Sequence, residues 1–374
     1  MMSGRIPLAR KNLFQDRRRA VLAIGGVAAS LVLVLVLDGV FAGAMHQVNA
    51  YMRSSPADVF VAQRDVRTMH MTQSALPPST VDAVATVDGV AWAEGLRYTT
   101  SILEASGGGQ LTTYVLGYET STGRGGPRRL AAGRAPGPGE VLVDNTAAEE
   151  LGIRVGHSVS ILGSPVPLRV SGLSTDGTNI VNTTVYITTE DFTRLRGDSI
   201  AYVLAAAEDG TTTEQLAARL DDALGGLTVQ TTAEFARQEG GLVRDMAADI
   251  MQIMTVIGFV IALAVTGLTL FTATLAKLRE YGIVKALGAN TTRLAVTVLA
   301  QAAWTTLVGL VIAVAFATAV GAAITALTAN IQIAIEIPSI LRTAAGALLV
   351  GGLASLLPLR RVVRVDPATA FRRP

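Results

Sequence analysis

Four long apolar stretches, at 20–41, 250–275, 294–327 and 340–359, punctuate this chain, and a polar insert over 46–245 separates the first two. At 1.5 Å of rise per residue, a helix needs about 20 apolar residues to cross a hydrocarbon core of roughly 30 Å, and each stretch is of that order. A soluble core helix of such length keeps a polar face, which these runs lack. The pattern predicts a membrane protein with four transmembrane α-helices and a large α+β extracytoplasmic domain between helices 1 and 2.

Charge sets the expected orientation. Arg5, Arg10, Lys11, Arg17, Arg18 and Arg19 precede the first span, opposed only by Asp16. Lys277, Arg279, Lys285 and Arg293 lie between the second and third, and Arg360, Arg361, Arg364, Arg372 and Arg373 follow the fourth. The connection between the third and fourth holds Glu336 and no basic residue before Arg342. By the positive-inside rule all three basic regions, and both termini, belong in the cytoplasm. The layout is then a basic amphipathic lead-in over 1–19, a first span and stalk over 20–45, an outer domain over 46–245 and a second span over 246–276. A connecting helix over 277–293, a third span over 294–327, an external loop over 328–339, a fourth span over 340–359 and a tail over 360–374 complete it. The first span is read as a retained anchor: it exceeds a signal-peptide core, and only the poor candidate around Asp38 to Ala44 follows as a cleavage site.

With 50% hydrophobic residues and a net charge of +2, the chain is divided between lipid and water. Its arginines face anionic headgroups, so nucleic-acid binding is not read from them. There is no cysteine, which excludes disulfides, thiol catalysis and cysteine-ligated metals.

The two ends of the outer domain look alike. A strand over 58–62, a helix over 78–87 and a strand over 90–96 are mirrored by a strand at 200–207, a helix at 212–224 and a strand at 227–232. The second helix opens on a Thr212-x-x-Gln215 box, a helix-start signal. Two such β-α-β units predict a split ferredoxin-like layer closed by the first and last parts of the insert. Between them a β-rich subdomain is expected: strands at 139–144, 158–162, 168–173 and 184–188, and a small helix over 145–151 capped by Asn145 and ended by Gly152. Gly107-Gly108-Gly109 marks a hairpin tip, and the Gly-, Pro- and Arg-rich piece 123–139 reads as a loop.

No catalytic constellation emerges. His46, His70 and His157 have no ligand spacing, His157 reading as a turn residue, and no Gly-x-Ser-x-Gly elbow occurs. Catalytic, cofactor-binding and metal-binding residues are therefore expected to be none. No Gly-x-x-x-x-Gly-Lys-Ser/Thr occurs either, so the chain has no P-loop to cradle nucleotide phosphates.

The sharpest local signal falls between the second and third spans, where Leu278 to Ala289 reads as a short amphipathic helix that Gly288 could end. Arg279, Glu280 and Lys285 are its charged positions; Ile283, Val284 and Leu287 are apolar. Periodicity alone leaves a force-receiving helix and an ordinary surface helix equally open.

The segment Glu280-Tyr281-Gly282-Ile283-Val284-Lys285-Ala286-Leu287-Gly288-Ala289 resembles the Glu-Ile-Gly-x-x-Arg/Lys-Ala-Leu-Gly-Ala motif of MacB/FtsX-type ABC permeases. The closing Pro358-Leu359-Arg360-Arg361 and Val365-Asp366-Pro367-Ala368-Thr369-Ala370-Phe371-Arg372 resemble the family's C-terminal pattern, 139–159 resembles a stretch of its outer domain, and the lead-in at 8–20 fits as well. Departures are Tyr281 for the usual Ile, Val363 or a neighbour for Ala, and Phe371 for Leu. The resemblance implies that Arg279, Glu280, Tyr281, Gly282, Ile283, Lys285, Ala286, Leu287 and Gly288 form a coupling helix docked on a separate ATPase subunit, which holds the ATP and Mg. It also implies two permease copies, as a homodimer or with a close relative, in the cytoplasmic (inner) membrane of a bacterium. Small residues in the first span, Gly25, Gly26 and Ser30 or the Gly39-x-x-x-Gly43 pair, are candidates for packing between copies.

Polar groups are sparse within the spans. Asp38 sits at the outer end of the first. Thr266, Thr269, Thr272 and Thr274 can bond back to their own helix, and Gln301 stands isolated in the third. This sparseness suits what the resemblance implies, a mechanotransmission device in which ATP-driven closure on the cytoplasmic side moves the first two spans, through stalks at 38–49 and 234–249, and with them the outer domain. Three functions follow. The chain exports or extracts a lipid, lipoprotein, peptide or drug, with or without an adaptor; it regulates an extracytoplasmic cell-wall hydrolase; or it is an anchored sensing or binding module without an ATPase. The size of the outer domain favours the first.

Overall fold

The computed structural model describes residues 17–69, 72–175, 182–287, 290–327 and 333–363. The chain divides into two compact units, an insert domain over Ala44–Met246 and a helical unit formed by the chain on either side of it. His70, Gly288, most of the lead-in and the closing motif from Val365 lie outside the described residues.

In chain order, helix α1 (Arg17–Val48) is followed by a short α2 (Ala50–Ser54), strand β1 (Val59–Gln63), α3 (Ser79–Ala85), β2 (Val90–Ala105) and β3 (Gln110–Tyr118). Then come β4 (Arg129–Gly133), β5 (Glu140–Asp144), α4 (Asn145–Leu151), β6 (Ser158–Ile161), β7 (Leu168–Thr175), β8 (Thr183–Thr188) and α5 (Thr189–Arg196). The domain closes with β9 (Tyr202–Ala207), α6 (Thr213–Ala223), β10 (Leu227–Thr231) and the first turns of α7 (Thr232–Ala276).

The expected ferredoxin-like layer is present. Its strands run in the order β10-β1-β9-β2, all antiparallel. α6 starts on the Thr212–Gln215 box, whose two reciprocal bonds are both formed. Its Leu216 and Leu220, four residues apart and so on one face, are buried on Val59, Val61, Val84 and Val203, while Asp221 and Asp222 face outward. On the opposite face of the sheet Phe60 meets Tyr202 and Phe235 of α7, with ring centroids 6.3 and 5.0 Å away. Glu239, one turn further along α7 and buried, accepts the Met69 N–H at 2.6 Å.

The second half of the domain is a closed ring. Beyond Leu96, β2 leaves β9 and pairs with β3; β3 runs parallel to β8, β8 antiparallel to β5, β5 parallel to β7, and β7 pairs with β6, which returns to the far end of β2. Closure satisfies both sides of these strands. Val115, Val141, Val143, Ile161, Val170 and Ile187 fill the centre. Gly117 has no side chain where Phe192 of α5 packs.

Three local expectations are corrected. The piece 123–139 holds a strand, β4, added to the outer edge of β7. Asp144, rather than Asn145, caps α4: its carboxylate accepts the Thr146 N–H at 2.9 Å, because Asp144 is the last extended residue before the helix. Gly152 ends that helix at φ +64°, as expected. β3 and α5 had no counterpart in the sequence reading, and β2 runs on to Ala105.

Among the described residues, four helices are long and apolar enough to cross a membrane, at Val21–Val48, Gln252–Ala276, Leu294–Leu327 and Ile337–Val363. They belong to α1, α7, α9 (Thr291–Leu327) and α10 (Ile337–Ala354) with its continuation α11 (Leu356–Val363). Val27, Leu31 and Leu35, one face of α1, pack with Ala313 and Ala317 of α9 and Ala347 of α10. Val256, Val260, Leu268, Val311 and Phe316 stay exposed, an arrangement that suits lipid and would be costly in water.

Glycines set the helix spacing. A Cβ on Gly26 would run into Val265 of α7, one on Gly258 into Val34 of α1, and one on Gly346 into Phe259 of α7. Small residues permit this close approach, which replaces the hydrophobic drive that lipid removes. Within the spans, Thr269 and Thr272 bond back to the carbonyls of Val265 and Thr269 at 2.7 and 3.0 Å. Two-thirds of the way along α1, Asp38 is ion-paired with Arg342 of α10 at 3.2 Å.

Candidate functional site

The connection between the second and third apolar helices is a helix, α8 (Leu278–Ala286), as its sequence predicts. The Tyr281 amide bonds to the Lys277 carbonyl at 3.0 Å, and the Leu287 amide closes the last turn on Ile283 at 3.0 Å.

Its two sides differ sharply. Tyr281 is only 5% exposed and is buried with Leu294 and Val298 of α9 and Val362 of α11. Gly282 beside it is buried too. Burial raises the pKa of the Tyr281 phenol above the ordinary tyrosine value, while a side-chain hydrogen bond with Gln301 works in the opposite sense. Gln301, expected to stand alone, is thus the polar partner of the anchor. Lys285 adds a second tie, its ammonium donating to the Val363 carbonyl at 3.0 Å. The other side points outward: Glu280, Ile283, Val284 and Ala286 are exposed, and Leu287 is 83% exposed. Arg279 lies in the first turn. The structure therefore brings Tyr281, Gly282 and Lys285 to the bundle, and leaves Glu280, Ile283, Val284, Ala286 and Leu287 for another surface. The helix can bear on an external partner while keyed to α9 and α11. Sequence reasoning missed Val362 and Gln301, since neither shares a local pattern with Tyr281.

Among the four glycines considered for packing between copies, Gly26 and Gly39 lie against the chain's own residues. A Cβ on Gly39 would meet Ile333 at 2.9 Å, and its carbonyl accepts the Ala334 N–H at 2.9 Å. Gly43 is buried, whereas Gly25 is exposed with open space beside it. No group of three or more His, Cys, Asp or Glu residues arranged to hold a metal ion occurs among the described residues.

Comparison with known proteins joins the two units. Residues 20–223 match the MacB-like periplasmic core domain, and residues 253–367 match the FtsX-like permease C-terminal family. The chain belongs to the MacB/FtsX-type ABC transporter permeases. The permease is 25% identical over 367 residues to Rv2563 of Mycobacterium tuberculosis H37Rv, an uncharacterized ABC transporter permease, covering 96% of this chain and 97% of that one. It is 24% identical over 372 residues to a second such permease of that strain, Rv0072, covering 98% and 99%. Among solved structures, the extracellular domain of the noncanonic ABC-type transporter YknZ from Gram-positive bacteria overlays 46% of the permease and 99% of that domain, with 14% identity and a TM-score of 0.37. The periplasmic region of MacB from Actinobacillus actinomycetemcomitans overlays 49% and 92%, with 14% identity and a TM-score of 0.37. The permease is thus a protein of the bacterial membrane, with a mixed α/β domain between its first and second apolar helices.

Proposed function

We propose that this permease couples ATP hydrolysis in a separate ATPase subunit to movement of its insert domain outside the cytoplasm, by mechanotransmission, and so extracts or expels a lipid, lipoprotein, peptide or drug. The orientation that goes with this reading places α8 and both termini in the cytoplasm, as the distribution of arginine and lysine favours. Two copies, identical or closely related, work with the ATPase, which supplies the ATP and Mg chemistry; an adaptor is an optional further partner.

The observation that carries the reading is the division of α8 into a keyed side and an open side. An apolar side chain gains about 1.5–3 kcal/mol when fully buried. Ile283, Val284 and Leu287 therefore offer enough apolar surface for stable docking, while Tyr281 transfers load to α9 and α11. Threonines bonded back to their own helices suit spans that act as levers rather than as a polar conduit.

The test is purification from the native membrane in mild detergent, comparing wild type with Val284→Asp and Leu287→Asp. The expected result is an ATPase that co-purifies with wild type and is lost from both variants, with the permease itself folded. Equal retention on all three would refute docking through α8, and a preparation consistently free of ATPase would instead favour an anchored sensing module.

A further inference from the structure

Helix α7 runs for 45 residues without a break, yet it carries an adjacent glycine pair, Gly240 and Gly241, directly after the buried Glu239. A glycine inside a helix loses more backbone freedom on folding than alanine would, so each one needs a reason. Further along α7 the reason is packing, because Val34 occupies the place of a Cβ at Gly258. Gly241 has no such reason: a Cβ there would meet nothing within 4 Å. At Gly240 the nearest atoms belong to the side-chain amide of Asn49, which begins 3.0 Å away.

Asn49 is itself a point of weakness. It interrupts the chain between α1, which ends at Val48, and α2, which begins at Ala50, and its side chain makes no cap on α2. Its Oδ1 is buried and has no hydrogen-bond partner among the described residues. A buried acceptor without a donor destabilises the state that holds it. On the domain side of this level both elements are held fast. Glu239 accepts the Met69 N–H at 2.6 Å, and Phe235 lies in the aromatic core with Phe60 and Tyr202. Met52 of α2 is buried in the same core, and the Tyr51 hydroxyl donates to the Gly125 carbonyl at 3.1 Å. Neither element can yield closer to the sheet without opening that core.

We propose that Gly240, Gly241 and Asn49 form a hinge, at which α7 bends when the helical unit drives the insert domain. In the straight helix the N–H groups of residues 242–245 bond to carbonyls one turn back. Bending at the glycine pair opens that turn and releases N–H groups beside the Asn49 carbonyl, which gains the donor it lacks. The bent state recovers in this way part of what the broken helical bonds cost, while the straight state keeps an unsatisfied acceptor. The two arrangements are thereby brought close in energy, as a driven element that absorbs a backbone change requires. The inference rests on the mechanotransmission reading above and adds where the driven helix yields.

Gly241→Ala separates a hinge from a rigid lever, since its Cβ enters open space and favours the helix. A lever would work as well or better with it, and a hinge would work worse. Asn49→Ala is the second variant, because it removes the orphaned acceptor. Full-length wild type and both variants are purified with their ATPase in mild detergent, and amide hydrogen exchange, thermal unfolding and ATP hydrolysis are measured. Exchange at 242–245 should be faster than at 236–240, and faster again during ATP turnover. Gly241→Ala should slow it about fivefold, the difference in helix propensity, with an unchanged or higher unfolding temperature and a severalfold loss of ATP hydrolysis. Asn49→Ala should slow it by a similar factor, about fivefold for one hydrogen bond, without lowering the unfolding temperature. Exchange at 242–245 as slow as at 236–240, or unmoved by either substitution, would overturn the hinge and leave coupling through a rigid α7 intact. Full ATP hydrolysis in Gly241→Ala despite slowed exchange would overturn it as well. A chain that purifies without an ATPase would remove the coupling reading alone: fast exchange slowed by Gly241→Ala would still uphold the hinge, and slow exchange would overturn it.

Discussion

Lys285 donates its ammonium to the Val363 carbonyl at 3.0 Å, one turn from where Tyr281 packs on Val362. The segment that joins the second and third spans is thereby held by the end of the fourth, far away in sequence.

This arrangement makes Tyr281 a positioning residue whose two contributions separate. Tyr281→Ala should destabilise the helical unit by about 3 kcal/mol through lost packing. Tyr281→Phe keeps the ring and removes the hydroxyl bonded to Gln301, at a cost of about 1 kcal/mol. Thermal unfolding in detergent gives the ranking. ATPase co-purification should fall with Tyr281→Ala and be largely kept by Tyr281→Phe.

The glycines of α1 allow a paired comparison. Gly26→Ala would push a Cβ into Val265 and should cost about 1–3 kcal/mol by overpacking. Gly25→Ala, one residue away, enters open space and should leave stability within about 0.5 kcal/mol of wild type. If copies meet on that face, a larger change such as Gly25→Leu should alter the dimer fraction on a native gel without shifting the unfolding of the single chain.

Capping of α4 distinguishes two adjacent residues. Asp144→Ala should cost about 1 kcal/mol, because it removes the acceptor of the Thr146 N–H. Asn145→Ala removes only an exposed bond to Glu149, worth about 0.3 kcal/mol. Denaturant unfolding of the two full-length variants tests the order.

Glu140 gives the insert domain an acid-sensitive element. The Gly137 N–H at 3.0 Å holds its carboxyl below the usual carboxylate range, and Arg134, with contacts of 2.8 Å to both oxygens, adds to this against the opposing effect of burial. A folded value below the unfolded value of about 4.3 stabilises fully above that pH, and the contribution is lost as pH falls through the folded value. Glu140→Gln should therefore lower stability at neutral pH and make the acid side of the melting-temperature profile shallower. A profile unchanged in slope below pH 5 would show that Glu140 carries none of it.

Much of this architecture was legible because its causes are local. Lipid demands long apolar runs, so the spans could be read directly. The two β-α-β units announce themselves through alternating strands and a capping box at Thr212. Four strands of the ring, β5 to β8, could be read locally, but its closure could not, because the parallel pairing of β3 with β8 and the return of β6 onto β2 join segments far apart in sequence. β4 is hidden in a Gly-, Pro- and Arg-rich piece whose composition describes a loop and whose backbone pairs nevertheless with β7. At α8, the motif marked the segment, but Tyr281, which departs from it, proved to be the buried anchor. Its partners Gln301 and Val362 can be assigned only once α9 and α11 are placed.

β2 runs unbroken for 16 residues, from the ferredoxin-like layer into the ring. A slip of one residue would turn every side chain from Val90 to Ala105 to the opposite face, emptying both cores at once. Neither half can therefore melt, slide or be exchanged alone. A lesion buried in the ring, at Val143 for example, should lower the melting of the layer around Phe60 in the same transition, and a pull applied to either half is shared by both.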